Sequence, residues 1–102
     1  MKSADQLLQG IRVVPVVVID DVDTAVPLAE TLLASDLRAI EVTLRTPAAV
    51  EAIAAICRQV PDLLVGAGSL RNATQVNEVV DAGARFGVSP GHSDALLDAV
   101  AE

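Results

Sequence analysis

Four stretches of the chain are almost continuously apolar, and each is followed by a segment with helical periodicity. Val13 to Ile19 reads as a parallel strand covered on both faces, with Pro15, which lacks a backbone donor, near its beginning. Ala25, Leu28, Ala29, Leu32 and Leu33 then recur at 3.6-residue spacing, and Pro27 requires that helix to start close by, capped by Asp21 or Asp23. Ala39 to Leu44 is the second strand. Thr46 is placed to cap and Pro47 to open a helix carrying Val50, Ile53, Ala54 and Cys57 on one face. Leu63 to Ala67 is the third strand, and Gly68 with Ser69 marks a turn. Asn72 and Gln75 have capping-box spacing for a helix over Ala73 to Ala82, which presents Val76, Val79 and Val80 and stops at Gly83. Arg85 to Ser89 is the fourth strand, broken by Pro90-Gly91, and Ser93 caps a last helix. A short helix over Ser3 to Gln9 precedes everything else.

The order is therefore a short helix followed by four βα units, with strands starting at residues 13, 39, 63 and 85. Four parallel strands fit an open sheet. They also fit half of a (β/α)8 barrel, in which the loops after the carboxyl ends of the strands carry the site. An eight-stranded barrel takes about 200 residues or more, and this chain has 102. One core of modest size is what that length supports, so residues 1–102 are read as one partial barrel domain ending after the fourth unit.

Composition narrows the function. Acidic residues number 14 against 7 lysines and arginines, a formal charge of −7, and the cations are scattered. Nucleic-acid binding needs a cationic surface, so no nucleic-acid partner is expected. Cys57 stands alone, which excludes an intrachain disulfide. No apolar run approaches the roughly 20 residues of a membrane span, and the amino terminus has no apolar signal core, so a soluble cytoplasmic protein is expected. Phe86 is the sole aromatic residue and Lys2 the sole lysine.

Glu41 is the residue most out of place, a carboxylate inside an apolar strand. Alternation puts it on one face with Thr43 and Arg45, opposite Ile40, Val42 and Leu44. A structural ion pair with Arg45 is one reading. The other is a poised acid/base whose charge the arginine controls, with the guanidinium free to clamp a substrate carboxylate or phosphate. Gly66-Ala67-Gly68-Ser69 offers close backbone approach, turn dihedrals and a hydroxyl, but it lacks the third glycine of a dinucleotide fingerprint and the lysine of a phosphate loop. Ser89-Pro90-Gly91-His92 makes a rigid turn at the end of the fourth strand. His92, the only histidine, is read as a solvent-facing loop residue, Cys57 as a small buried hydrophobe, and Arg71 as exposed.

Four segments in order, Val13-Val14-Pro15-Val16, Ile40-Glu41-Val42-Thr43-Leu44-Arg45-Thr46, Val65-Gly66-Ala67-Gly68-Ser69 and Phe86-Gly87-Val88-Ser89-Pro90-Gly91, resemble the bacterial 2-keto-3-deoxy-6-phosphogluconate (KDPG) and 4-hydroxy-2-oxoglutarate aldolases. The resemblance covers nearly the whole chain. It implies the N-terminal half of a (β/α)8 TIM barrel, a class I aldolase without cofactor or metal, and usually a homotrimer. A strand-six lysine in that family forms a Schiff base with pyruvate, and the imine acts as an electron sink for carbon–carbon cleavage. By motif, Glu41 would be the general acid/base and Arg45 would bind the pyruvate carboxylate. Ser69 stands where the family often has threonine, and Pro90 and Gly91 would floor the keto-acid site. The substrates implied are pyruvate and a phosphorylated 2-keto-3-deoxy sugar acid.

That lysine and the phosphate-binding loops fall beyond residue 102, and Lys2 precedes the first helix. The isolated chain is accordingly expected to be inactive. Two other readings stand beside it: a noncatalytic half-barrel that covers its exposed strand edges by self-association, and a small metal-dependent aldolase using Glu41 with carboxylates elsewhere.

Overall fold

The computed structural model of the chain describes residues 10, 11 and 13–88. Strands β1 (Val16–Val17), β2 (Ala39–Thr43), β3 (Leu64–Gly68) and β4 (Phe86–Gly87) alternate with helices α1 (Ala25–Ala34), α2 (Ala49–Gln59) and α3 (Ala73–Ala82). All strand pairs are parallel and the sheet order is β1-β2-β3-β4. The expected helices over 3–9 and after Ser93 lie outside the described residues.

The sequential strand order decides the architecture. Each crossover steps to the next strand in the same direction, and right-handed crossovers that never reverse place every helix on one face of the sheet. The packing agrees: α1 rests on α2 and α2 on α3. Ile40, Val42, Val65 and Ala67 point into the helix layer, where they join Ala25 and Ala29 of α1, Ile53 and Ile56 of α2, and Val76 and Val79 of α3. The opposite face carries the alternate residues. Register sets Val16, Glu41, Gly66 and Phe86 side by side on it, with Thr43 beside Gly68 one row further toward the carboxyl end. Val16 is 60% exposed there. A doubly wound sheet would cover this face with helices, whereas a barrel turns it inward.

Local structure departs from the expected pattern at several points. The ladder of β1 is limited to Val16 and Val17, with one further bond from the Glu41 N–H to the Pro15 carbonyl (2.9 Å). Pro15 thus marks the start of the pairing, and the apolar run on either side of β1 lies outside the ladder. Asp21 caps a 3₁₀ turn at Val22–Thr24 rather than α1, its carboxylate accepting from the Asp23 N–H at 2.9 Å; α1 follows from Thr24 without a side-chain cap. Thr46 does not cap α2, and Pro47 does not open it. The helix begins at Ala49, and the Thr46 hydroxyl instead donates to the Ile19 carbonyl, tying the β2–α2 loop to the end of the β1 segment.

The buried stripe of α2 is Ala49, Ala52, Ile53, Ala55 and Ile56, rotated from the expected one. Val50 and Cys57 flank it, and Ala54 is only half-buried. At the start of α3 the Asn72 side-chain Oδ1 accepts from the Gln75 N–H at 2.9 Å. Gln75 reaches back one residue further than in a capping box, accepting from the Arg71 N–H at 2.7 Å. Gly83 closes that helix at φ 110°, which a side chain disfavours. Val80 faces solvent rather than the core.

Candidate active site

Glu41 sits at the centre of β2, where the buried neighbours Ile40 and Val42 fix the strand and leave the carboxylate on the helix-free face. Its side chain does not lie across the paired residue Gly66. A methyl group added there would overlap Cε2, Cζ and Cδ2 of Phe86, whose ring occupies that space and is 2% exposed. The carboxylate lies against Gly68 instead. A methyl group on Gly68 would overlap Oε2 and stand 2.8 Å from Cδ and 3.1 Å from Cγ of Glu41. The side chain is therefore aimed toward the carboxyl end of the sheet, the end at which β-barrel enzymes of this class of architecture hold their sites.

Arg45 and Ser69 follow the same ends of β2 and β3, which are joined past the ladder by the Leu44 N–H donating to the Gly68 carbonyl at 2.9 Å. Arg45 is exposed and makes no direct ion pair with Glu41, so the structural-pair reading of these two residues is not met. The guanidinium acts at a distance. Burial pushes the Glu41 carboxyl above its ordinary value of 4.5, and the positive charge of Arg45 partly offsets that rise. Among the described residues nothing donates a hydrogen bond to the carboxylate, which keeps solvent access. Ser69 adopts φ 61°, a left-handed conformation costing a non-glycine residue about 1–2 kcal/mol, and it is half-buried. The expected turn dihedral thus falls on Ser69, while Gly66 and Gly68 serve by giving space.

Three site residues named from sequence therefore come together at one end of the β2–β3 pair. Pro90, Gly91 and the neighbouring Ser89 and His92 lie outside the described residues. Thr43 lines the same face, 1% exposed, its hydroxyl donating to the Val17 carbonyl at 3.3 Å. Phe86, Gly66 opposite it and Gly68 one row further on were not singled out as a constellation from sequence. The available signal was glycine at positions two apart on a strand facing a lone carboxylate and a lone aromatic.

Elsewhere, a groove of about 400 Å³ bordered by Glu30, Leu33 and Val60 lies at the amino ends of the strands, away from Glu41. Cys57 is half-buried, and burial raises its thiol pKa against a smaller lowering by Arg85. Among the described residues, no three of histidine, cysteine, aspartate and glutamate converge as metal ligands, and no helix is long and apolar enough to cross a membrane.

The family model for KDPG and KHG aldolase matches residues 4–102. The 2-dehydro-3-deoxy-phosphogluconate aldolase of Dickeya dadantii is 50% identical over 100 residues, covering 98% of this chain and 47% of that protein. The KHG/KDPG aldolase of Escherichia coli K12 is 48% identical over 98% of this chain and 47% of its own length. Among solved structures, the aldolase of Zymomonas mobilis ZM4 with 3-phosphoglycerate superposes with a TM-score of 0.86 at 43% identity, covering 95% of this chain and 46% of that one. The Legionella pneumophila enzyme, with pyruvate captured at low pH as a covalent carbinolamine, gives 0.80 at 46% identity, covering 84% of this chain and 42% of that one. The chain spans about half the length of the curated relatives it matches. Its four parallel strands and alternating helices match the N-terminal half of the aldolase TIM barrel. On the family match over residues 4–102 and on relatives near 50% identity, this chain belongs to the KDPG and KHG aldolase family.

Proposed function

We propose that the protein to which these 102 residues contribute is a class I aldolase. It cleaves 2-keto-3-deoxy-6-phosphogluconate to pyruvate and glyceraldehyde 3-phosphate, and 4-hydroxy-2-oxoglutarate by the same chemistry. The observation that carries this reading is the Glu41 carboxyl: half-buried, aimed at the carboxyl end of a helix-free sheet face, and raised in pKa by burial. A carboxyl raised in pKa is a stronger base when ionised and is more often protonated and so available as a proton donor, which is what proton shuttling at the addition and cleavage steps requires. Arg45 holds the keto-acid carboxylate through its donor fork and keeps the Glu41 shift within bounds. The Ser69 hydroxyl and the Pro90-Gly91 turn complete the pyruvate pocket. The site works without metal or organic cofactor, in a cytoplasmic homotrimer, and residues 1–102 make one partial barrel domain of it.

The electron sink of class I chemistry is an imine on a lysine amine. The sequence's one lysine, Lys2, precedes β1. Borohydride reduction in the presence of pyruvate is therefore expected to leave the 102-residue chain unlabelled, as read by intact mass. Combined with the C-terminal half of the Dickeya dadantii relative, the chain is expected to yield a hybrid that traps pyruvate. Glu41→Gln in that hybrid should lower turnover by about 10²–10⁴-fold, the usual worth of a positioned acid/base. Adduct on the isolated chain, or turnover indifferent to Glu41→Gln, overturns the reading.

A further inference from the structure

The Glu41 carboxyl has to be held in one place to transfer protons in a defined direction, yet no hydrogen bond from a described residue fixes it and Arg45 does not touch it. Its position is set by space. The register pairs Glu41 with Gly66, but the Phe86 ring fills the volume above Gly66. One row nearer the carboxyl end, Gly68 pairs with Thr43 and leaves its volume open. The three heavy atoms nearest to a Cβ built on Gly68 all belong to Glu41: Oε2, Cδ and Cγ.

Among the described residues, nothing else in the ladder or the backbone dihedrals calls for glycine at residue 68. Its φ is not in the left-handed region, it continues the β3 ladder, and its carbonyl accepts the Leu44 N–H in ordinary fashion. Gly83, by contrast, is required by its φ of 110°.

We propose that Gly68 is a positioning residue for Glu41: its missing side chain forms the seat in which the carboxyl rests, with the Phe86 ring over Gly66 closing the alternative place. The two glycines of one strand thus do different work. A side chain at residue 66 meets a rigid buried ring. A side chain at residue 68 meets the far end of a flexible one, which can swing into solvent and leave the fold standing. The consequence for catalysis rests on the proton-transfer reading of Glu41, whereas the seat itself is measurable without turnover.

The test is a titration of the Glu41 carboxyl carbon by NMR in the 102-residue chain, in the parent and in Gly68→Ala, alongside urea unfolding of both. Displacement into water removes the burial that raises this group, so the Gly68→Ala midpoint is expected to move down toward 4.5. Unfolding should show Gly68→Ala costing stability no more in the Glu41→Ala background than alanine costs at an open strand position, because the atoms it meets are gone. A Glu41 midpoint unmoved by Gly68→Ala overturns the proposal. So does a stability loss from Gly68→Ala that persists undiminished in the Glu41→Ala background, since the methyl would then be meeting backbone. A lowered midpoint in a chain whose hybrid turnover ignores Glu41→Gln would keep the seat and remove the proton-transfer reading.

Discussion

Gly66→Ala should destabilise the chain, and Phe86→Ala should cancel much of that loss. The added methyl points onto the helix-free face and overlaps three atoms of the Phe86 ring. Carbon atoms rest about 3.5–4.0 Å apart, so the ring must retreat by roughly 1.5 Å. It has little room to do so, being 2% exposed. Overpacking of this kind costs about 1–3 kcal/mol. The reduced freedom of alanine in the unfolded chain works the other way by only about 0.4–1 kcal/mol, so the clash wins. Removing the ring costs about 3–5 kcal/mol by itself. In the double variant the three ring atoms that the methyl overlaps are gone, and the combined loss should fall short of the sum of the two singles by about 1–3 kcal/mol, well outside the roughly 0.5 kcal/mol within which independent sites add. Urea unfolding measures this cycle. Far-UV circular dichroism is the probe, because the sequence has no tryptophan or tyrosine. A neutral Gly66→Ala, or single losses that simply add, would refute the reasoning that the ring of Phe86 occupies the place of a side chain at residue 66.

The Glu41 pKa makes a second prediction with a definite sign. A carboxyl raised in the folded state contributes stability below its unfolded value and loses that contribution as pH climbs through the folded one. Glu41→Gln should therefore be more stable than the parent at neutral pH, with the advantage vanishing on acidification below 4.5; a parent that is the more stable at neutral pH contradicts it. Arg45→Gln removes the opposing charge, so the Glu41 midpoint read by NMR should rise further, and salt should mimic the substitution in part. Asn72→Ala deletes the cap of α3 and should cost about 1 kcal/mol in urea unfolding. Thr46→Val leaves the buried Ile19 carbonyl without its hydroxyl donor and should cost about 1–3 kcal/mol, although that hydroxyl caps no helix.

The parts of the fold that were legible in advance are those written within a few residues of one another. Apolar runs located all four strands, Asn72 with Gln75 and Gly83 bounded α3 at both ends, and alternation put Glu41 and Thr43 on one side of β2. The misreadings have a common cause. Thr46 has the chemistry of a cap, but the Ile19 carbonyl, 27 residues away, competes for its hydroxyl and takes it. Asp21 caps a 3₁₀ turn that periodicity does not reveal. Val13 to Ile19 has the composition of a long strand, yet only Val16 and Val17 meet the ladder of β2. The pair of Glu41 and Arg45, plausible along an isolated strand, is replaced by action at a distance because the carboxylate leans across to Gly68.

By itself the sequence determined the element order, the parallel character of the sheet, the family and the carboxyl around which the chemistry is proposed, since each is encoded in short-range pattern and motif. Only the tertiary structure decided what surrounds that carboxyl. Strand order without reversal put the three described α-helices on one face and left the Glu41 face free of them. Register set Gly66 and Gly68 beside β2, and the Phe86 ring closed one of these two places and left the other open. These are relations between residues about 20 to 45 positions apart, fixed by backbone pairing and excluded volume, and no local pattern along the chain carries them.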